Sequence, residues 1–271
     1  MTEYVELHAR SAFSFLEGAT MPEHLMQQAA RLEMPAMGLL DRNGFYGAVR
    51  FHMEGKKLGV RSHIGAEVAV TDFGQRLRPR SYLPHQLPAE PARLSLLAES
   101  TTGYQNLSRL ITRMKLREKT KAEGASWLKE IEPYTEGVVC LTGGSEGPLA
   151  TALAEGGYDA AHKTVERLTN VFGPRNVYVE LQRHCNREEE HRNRAAVRIA
   201  NSLHLLLLAT GGVSYAAPCE RETLDIFTCI RHRTTLDTSG RLLERNAERH
   251  LRTDLLVDNA FFRWLIFLQS E

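Results

Sequence analysis

The stretch from Val177 to Thr210, VYVELQRHCNREEEHRNRAAVRIANSLHLLLLAT, decides the fold class. It opens on a β-rich run, Val177–Gln182, and closes on another, Leu205–Thr210. Between them, Asn186 and Glu189 stand at the spacing of a capping box, the reciprocal side-chain pairing that starts a helix. Strand, capped helix and strand in succession make a βαβ unit, and such units build parallel sheets.

The same rhythm extends back to the N-terminus. Five more β-rich runs precede this one: Tyr4–His8, Ala36–Leu40, Ser62–Val70, Leu94–Ala98 and Gly137–Thr142. Thr20 with Glu23, around Pro22, and Thr102 with Gln105 have capping-box spacing and mark helix starts. After Thr102, residues Leu107, Leu110, Ile111 and Met114 fall at i, i+3, i+4 and i+7 and form one apolar stripe, with Asn106, Arg109, Arg113 and Arg117 facing elsewhere. Seven runs alternating with helices predict an α/β fold with a parallel sheet and helices outside it. Seven is many for an open sheet with short loops, so closure into a barrel is expected. Asp72 to Arg93 breaks the rhythm: Pro79, Pro84, Pro88 and Pro91 predict a long loop or a hairpin excursion. A second polar connection, Glu118 to Ser126, is rich in lysine.

Composition narrows the class. The 271 residues are 42% hydrophobic and 25% charged, as in soluble globular domains. A net charge of +1 gives no whole-molecule field toward nucleic acid or membrane. Local basic clusters occur at Arg76, Arg78 and Arg80, and at Arg113, Lys115, Arg117, Lys119 and Lys121. They read as solvated surface, with phosphate contact as the alternative. Cys140, Cys185, Cys219 and Cys229 form no CxxC pair, which excludes a zinc knuckle or a disulfide scaffold and fits a reducing cytosol. The N-terminus lacks the pattern of a signal peptide, and Phe261–Leu268, broken by Arg263, is too short to span a bilayer. A cytoplasmic protein without membrane contact is expected. P-loop, GxGxxG, HExxH and DxD motifs are all absent from the sequence. Gly143-Gly144 before Glu146 reads as a plain turn into a helix, with anion acceptance as the alternative.

The ends of several runs carry ionisable residues: His8, Asp41, Glu67 and His184. Singly, each suits a cap or a turn. In a parallel barrel, however, the strand C-termini share one face, where sites are built. Four ligand-type residues on four strands therefore make a candidate site.

The string YVELHARSAFSFLEGA (4–19) resembles the first motif of the PHP (polymerase and histidinol phosphatase) domain of bacterial DNA polymerase III alpha subunits. The resemblance continues in family order through MGLLDRNGFYGAVRFH (37–52), IGAEV (64–68), LSLLAESTTGYQNLSRLIT (94–112), VVCLTGGSEGPLATAL (138–153), NVYVELQRHCNREEEHRNRAAVRIAN (176–201) and LLLLATGGVSYA (205–216). GYQNLSRLITRMKLR (103–117) and RETLDIFTCIRHRTTLD (221–237) are most similar to the error-prone alpha-type polymerases. The resemblance implies a distorted seven-stranded (β/α) barrel over residues 1–252, a role in DNA replication or repair, and DNA and the replication or translesion machinery as partners. Active relatives carry a metal centre at the strand ends and hydrolyse phosphoesters there, in some polymerases as a 3′–5′ exonuclease.

By the same resemblance, His8, Glu17, Asp41, Glu67 and His184 match metal-ligand positions. Arg10, Arg42 and Arg93 stand where histidines are expected, Gly144 where a cysteine is, and Gly212 and Ser214 where an aspartate and a histidine are. Arginine does not deprotonate in proteins and is a poor ligand. The expectation is a degenerate site with no cofactor, in which Arg10, Arg42 and Arg93 replace the metal charge and pair with Glu17, Asp41 and Glu67. Zinc or manganese at the residual positions is the alternative, and with it a metal-dependent phosphoesterase or exonuclease. A module that binds a replication partner is a third reading. The polymerase palm of such proteins lies beyond the PHP domain, so this stretch is not expected to polymerise DNA alone. The tail TDLLVDNAFFRWLIFLQSE (253–271) has no counterpart in the family, and its apolar part, Phe261–Leu268, is expected to dock on the barrel or to drive self-association.

Overall fold

A computed structural model describes residues 4–75, 90–117 and 124–252. Six β-rich runs become strands: β1 (Ala36–Arg42), β2 (Arg61–Gln75), β3 (Pro91–Ala98), β4 (Val138–Leu141), β5 (Val177–Gln182) and β6 (Leu206–Thr210). They hydrogen-bond in sequence order in one sheet. Among the described residues, α1 (Pro22–Arg31) and α2 (Ala48–Leu58) flank β1, and α3 (Thr101–Arg117) and α4 (Leu128–Ile131) lie between β3 and β4. After β4 and β5 come α5 (Pro148–Phe172) and α6 (Arg187–Leu203), and α7 (Arg221–His232) and α8 (Leu236–Ser239) follow β6. None of the described helices is long and apolar enough to cross a membrane.

Two expectations about the sheet need correction. Tyr4–His8, expected as the first of seven strands, forms no ladder. It makes a single parallel bridge to β1, Glu6 with Met37, while Ala9 bridges Val213 beyond β6. The Glu6 carboxylate takes up the His8 and Gly211 N–H groups, each at 2.7 Å, and so removes donors that a ladder would use. The result is a six-stranded, curled sheet whose two edges approach each other across this segment. The sheet is also not all parallel. Its β1–β2, β4–β5 and β5–β6 pairs are parallel, whereas β3 runs antiparallel to both β2 and β4. The sequence between β2 and β3, proline-rich and without helical periodicity, fits an antiparallel step from β2 to β3. Residues 76–89, with Arg76, Arg78 and Arg80, lie outside the described residues, as do Lys119, Lys121 and the tail from 253 onward.

Side chains alternate across the sheet with period two. Outward positions of β2 to β5, such as Val68, Leu94, Cys140 and Val179, join the helices in the main apolar core. Met37 and Leu39 of β1 pack with α1 and α2 in a second cluster. Inward positions divide into two levels. At one end Leu40, Leu97 and Leu141, with Leu7, Tyr178 and Leu208 against them, form an apolar floor. At the other end stand Glu67, Arg93, Ser95, Glu180, Gln182 and Thr210, all buried. Because β3 is reversed, its N-terminal residues Arg93 and Ser95 lie level with the C-terminal ends of its neighbours: Ala69 pairs with Arg93 and Glu67 with Ser95.

Helix starts follow the sequence in part. Glu189 accepts the Asn186 N–H at 3.3 Å, as the box before α6 requires. Thr20 does not cap α1; its hydroxyl donates to Glu220 and accepts the Ala216 N–H. The cap of α3 is Ser100, whose hydroxyl accepts the Gly103 N–H at 3.1 Å, rather than Thr102. Leu107, Leu110 and Met114 are buried as expected, but Asn106 turns inward too and donates to the Glu136 carbonyl. All four cysteines are free thiols.

Candidate functional site

The polar level of the sheet is centred on His8. Its Nε2 lies 2.7 Å from Glu67 and its Nδ1 2.6 Å from Glu180. Two carboxylates on opposite sides of one ring require both nitrogens to carry protons. Burial alone would lower the His8 pKa, but Glu180 and Glu67 overcome it and raise it to about 10. His8 is therefore an imidazolium at neutral pH. Burial would raise Glu67, yet Arg10 and His8 bring it down to about 2. Glu180 is lowered in the same way, its burial outweighed by His8.

Beside this triad lies a larger ion network. Arg10 bonds Glu67 at 2.8 Å and Glu146 at 2.6 Å. Arg93, with its side chain only 2% exposed, grips both oxygens of Glu17, its Nη2 at 2.8 Å, and reaches Glu146 at 3.2 Å and Glu90 at 3.1 Å. Glu17 also accepts Arg42 at 2.5 Å and Arg231 of α7 at 2.9 Å, with Arg10 at 3.7 Å. One carboxylate thus gathers four guanidinium groups from separate elements. Burial would raise Glu17, but Arg93 and Arg42 outweigh it and lower it to about 2. Five carboxylates (Glu17, Glu67, Glu90, Glu146 and Glu180) face four arginines and one imidazolium, so the cluster is close to neutral.

Of the sequence-derived candidates, His8, Glu17 and Glu67 come together with Arg10, Arg42 and Arg93. Asp41 does not join them or pair with an arginine. Strand alternation turns it to the outward side with Met37 and Leu39, where it accepts the Ser11 N–H and hydroxyl, the Ser14 hydroxyl and the Gly47 N–H at 2.9–3.0 Å. Burial without a cation raises its pKa. His184 is also apart: Nδ1 lies 2.6 Å from Glu189 and Nε2 donates to the Gly211 carbonyl at 2.7 Å. Burial and Arg249 lower its pKa. His184 is thus tied into the box that starts α6, because Glu189 also takes its N–H.

Glu146, Glu180, Gln182 and Arg231 were not singled out by the sequence. Glu180 and Gln182 alternate with outward Val179 and Leu181 in a run that reads as an ordinary strand, and only that alternation marks them as inward. The Gly143-Gly144 turn leads into α5 and delivers Glu146 back onto Arg10 and Arg93. Gln182 fills the space beside two glycines: a Cβ on Gly144 would lie 2.0 Å from its Oε1, and one on Gly212 would lie 2.6 Å from it. The remaining cavity, lined by Arg10, Glu67, Arg93, Glu146 and Gln182 among others, measures ≈ 10 Å³. That is room for about one water molecule. Among the described residues, no group of three or more His, Cys, Asp or Glu side chains is arranged to hold a metal ion. Glu67 Oε2 and Glu180 Oε2 are buried without a hydrogen-bond partner.

Comparison with known proteins agrees with the motifs. Residues 6–184 match the PHP domain family. An error-prone DNA polymerase of Mycolicibacterium paratuberculosis is 34% identical over 262 residues, an alignment covering 92% of this chain and 22% of that protein. An error-prone DNA polymerase of Anaeromyxobacter sp. is 37% identical over 249 residues, covering 92% and 20%. The chain thus spans about a fifth of the length of these relatives. Among solved structures, a protein from Bifidobacterium adolescentis, itself assigned as a metal-dependent phosphoesterase only by inference, aligns with a TM-score of 0.49 and 11% identity, over 78% of this chain and 88% of that one.

Proposed function

The chain belongs to the PHP domain family, and from that premise we propose that it serves as the non-hydrolytic PHP domain of an error-prone, DNA polymerase III alpha-type polymerase in DNA replication or repair. On this reading the domain is a scaffold at the strand ends, and its charged mouth binds the fold together. The relatives' names point to DNA and the replication or translesion machinery as the setting. Residues 1–252 form the PHP unit and 253–271 a separate tail.

The observation that carries the reading is the ion network itself. The residual ligand positions do not fit a metal centre. Both nitrogens of His8 are occupied by Glu67 and Glu180. Glu17 is surrounded by guanidinium groups, the Asp41 oxygens accept from Ser11, Ser14 and Gly47, and both ring nitrogens of His184 face acceptors, Glu189 and the Gly211 carbonyl. Arg10, Arg42 and Arg93 supply the positive charge that a metal would bring, with Arg231 as a fourth contributor. Charge-assisted, partly bidentate bonds fix these groups in place. The cavity is also too small for a phosphoester, whose hydrolysis needs ligands, water and substrate in one space. The two buried oxygens without partners, on Glu67 and Glu180, suit one ordered water better than a cation with four ligands.

Metal analysis decides the question. Protein stripped with chelator, soaked in zinc or manganese and desalted is expected to retain far less than one equivalent of metal. It is also expected to show no nuclease or phosphatase activity with either ion. Stoichiometric metal, with an activity that His8→Ala abolishes, would overturn the proposal in favour of a metal-dependent phosphoesterase or exonuclease.

A further inference from the structure

The outer face of α3 is basic without compensation. The helix carries Arg109, Arg113, Lys115 and Arg117 and no aspartate or glutamate. Arg109, Arg113 and Arg117 recur at every fourth residue, which stacks them one above another about 6 Å apart along the axis. Like charges at that spacing destabilise a helix. Packing does not require them, because α3 turns Leu107, Leu110 and Met114 to the core. Among the described residues, Arg109 and Arg113 make no ion pair, although Arg113 acts on Glu130 through space. Arg117 is paired with Glu130 of α4. The row of arginines thus costs helix stability with little return inside the domain.

Aromatic rings stand at both ends of this row. Tyr104 is 40% exposed, and Phe45 stacks on it with 4.9 Å between ring centroids. At the other end Trp127 is 49% exposed, and the Arg117 guanidinium lies over its ring, 4.5 Å from the centroid. Between them Leu116 is 82% exposed. Other exposed apolar residues lack this setting. Val49 and Met53 of α2, and Ile226 and Ile230 of α7, share their helices with charges that are paired: Arg50 with Glu23, Lys57 with Glu54, and Arg221 with Asp225. On α3, cations without ion pairs and exposed rings occur together.

We propose that this face binds a single strand of nucleic acid, with phosphates along Arg109, Arg113 and Arg117 and bases stacked on Tyr104 and Trp127. A guanidinium meets phosphate oxygens through a fixed fork of donors, and a regular row of them suits a regularly charged backbone. Exposed rings accept any unpaired base, because every base has a π-face. A duplex keeps its bases stacked on one another, away from such rings. An acidic protein segment would satisfy the cations and leave the rings unused. Phe45 and Arg117 already hold the two rings in place. None of these residues lines the charged mouth, so the binding does not depend on whether that site holds metal.

Fluorescence anisotropy of a labelled oligothymidylate with the full chain tests this. Each phosphate neutralised on a single strand adds about −0.7 to the slope of log K against log salt. Arg109→Gln with Arg113→Gln is therefore expected to reduce that slope by ~1.4 and to weaken binding at low salt by roughly tenfold or more. Urea unfolding should find the same variant at least as stable as wild type, since two repelling charges are gone. Tyr104→Ala and Trp127→Ala, with circular dichroism as the folding control, are expected to weaken binding and leave the slope unchanged. No binding at low salt, or binding unchanged in the double arginine variant, would overturn the proposal. So would equal affinity for a duplex of the same length, or an affinity indifferent to both aromatic variants. Polyglutamate competing as strongly as unlabelled oligonucleotide would assign the face to an acidic protein segment instead.

Discussion

Glu17→Gln removes one negative charge and almost no volume from the point where four guanidinium groups meet. Its cost can be worked in two ways. Removing one partner of a buried ion pair leaves the other uncompensated, at about 3–5 kcal/mol. Independently, holding the Glu17 carboxyl at about 2 instead of its usual 4.5 corresponds to ~3 kcal/mol of preference for the charged form. Arg42 and Arg231 have side chains 28% and 30% exposed and can recover part of their hydration, whereas Arg93, at 2%, cannot. The expected loss is therefore ~3 kcal/mol at neutral pH, most of it from buried Arg93, which loses its charged Glu17 partner and keeps Glu146 and Glu90. Urea unfolding at pH 7 measures it directly. The pH dependence adds an internal check. A carboxylate with a lowered folded pKa contributes stability that is present above about 4.5 and lost as pH falls through about 2. The gap between wild type and Glu17→Gln should therefore close across that acid window. Adding Arg93→Met should recover part of the loss, a coupling of roughly 2 kcal/mol in a double-mutant cycle. A Glu17→Gln protein within about 0.5 kcal/mol of wild type, or a gap that stays constant into acid, would refute the role given to this network.

Two further outcomes follow from the same geometry. His8 has a raised folded pKa of about 10, so its contribution is complete below about 6.5 and is lost as pH rises through about 10; NMR should show its ring still protonated at pH 8, a titration near or below 7 would contradict the double carboxylate contact, and His8→Gln should flatten the alkaline fall in stability. Gly144→Cys should cost ~1–3 kcal/mol, because its Cβ would meet Gln182, and thermal unfolding should show that cost reduced in a Gln182→Ala background; strict additivity of the two substitutions would mean that Gln182 does not fill that space.

Much of the fold was legible because it rests on local signals. The β-rich runs located six strands, matching β5 at both ends while β2 and β3 extend past their runs by five and three residues, into the stretch expected as a loop, and Asn186 with Glu189 marked the start of α6. What failed were steps where a local pattern had a non-local competitor. Tyr4–His8 has the composition of a strand, but Glu6 within it bonds backbone donors and keeps the segment from forming a ladder. Thr20 has the spacing of a cap, yet its hydroxyl serves Glu220, 200 residues away. The reversal of β3 was half-written in the proline-rich segment: where helical periodicity is missing between two strands, a parallel step loses its crossover. Reading that absence as a change of direction would have corrected the sheet.

The site shows the same division between type and place. That Arg10, Arg42 and Arg93 would pair with acids could be read from their chemistry, but which carboxylates they meet depends on strand parity. Asp41 and Arg42 are adjacent in sequence, and that adjacency sends them to opposite faces of β1. Asp41 therefore goes to the serine turn and Arg42 to Glu17. The reversed β3 then brings Arg93 to the same level from the other direction, which no parallel arrangement would do. With Asp41 removed from the network, Arg10 and Arg93 share Glu146 as a partner, and Glu180 pairs with His8. Neither glutamate is recognisable from its own surroundings in sequence, since one follows a glycine turn and the other sits inside an apolar strand. Their signal is electrical: once Arg10, Arg93 and a doubly bonded His8 are buried together, nearby carboxylates must exist, because uncompensated buried charge costs more than this fold could sustain. Counting the buried cations first, and then asking which inward strand positions carry acids, is the step by which sequence reasoning could have reached Glu180.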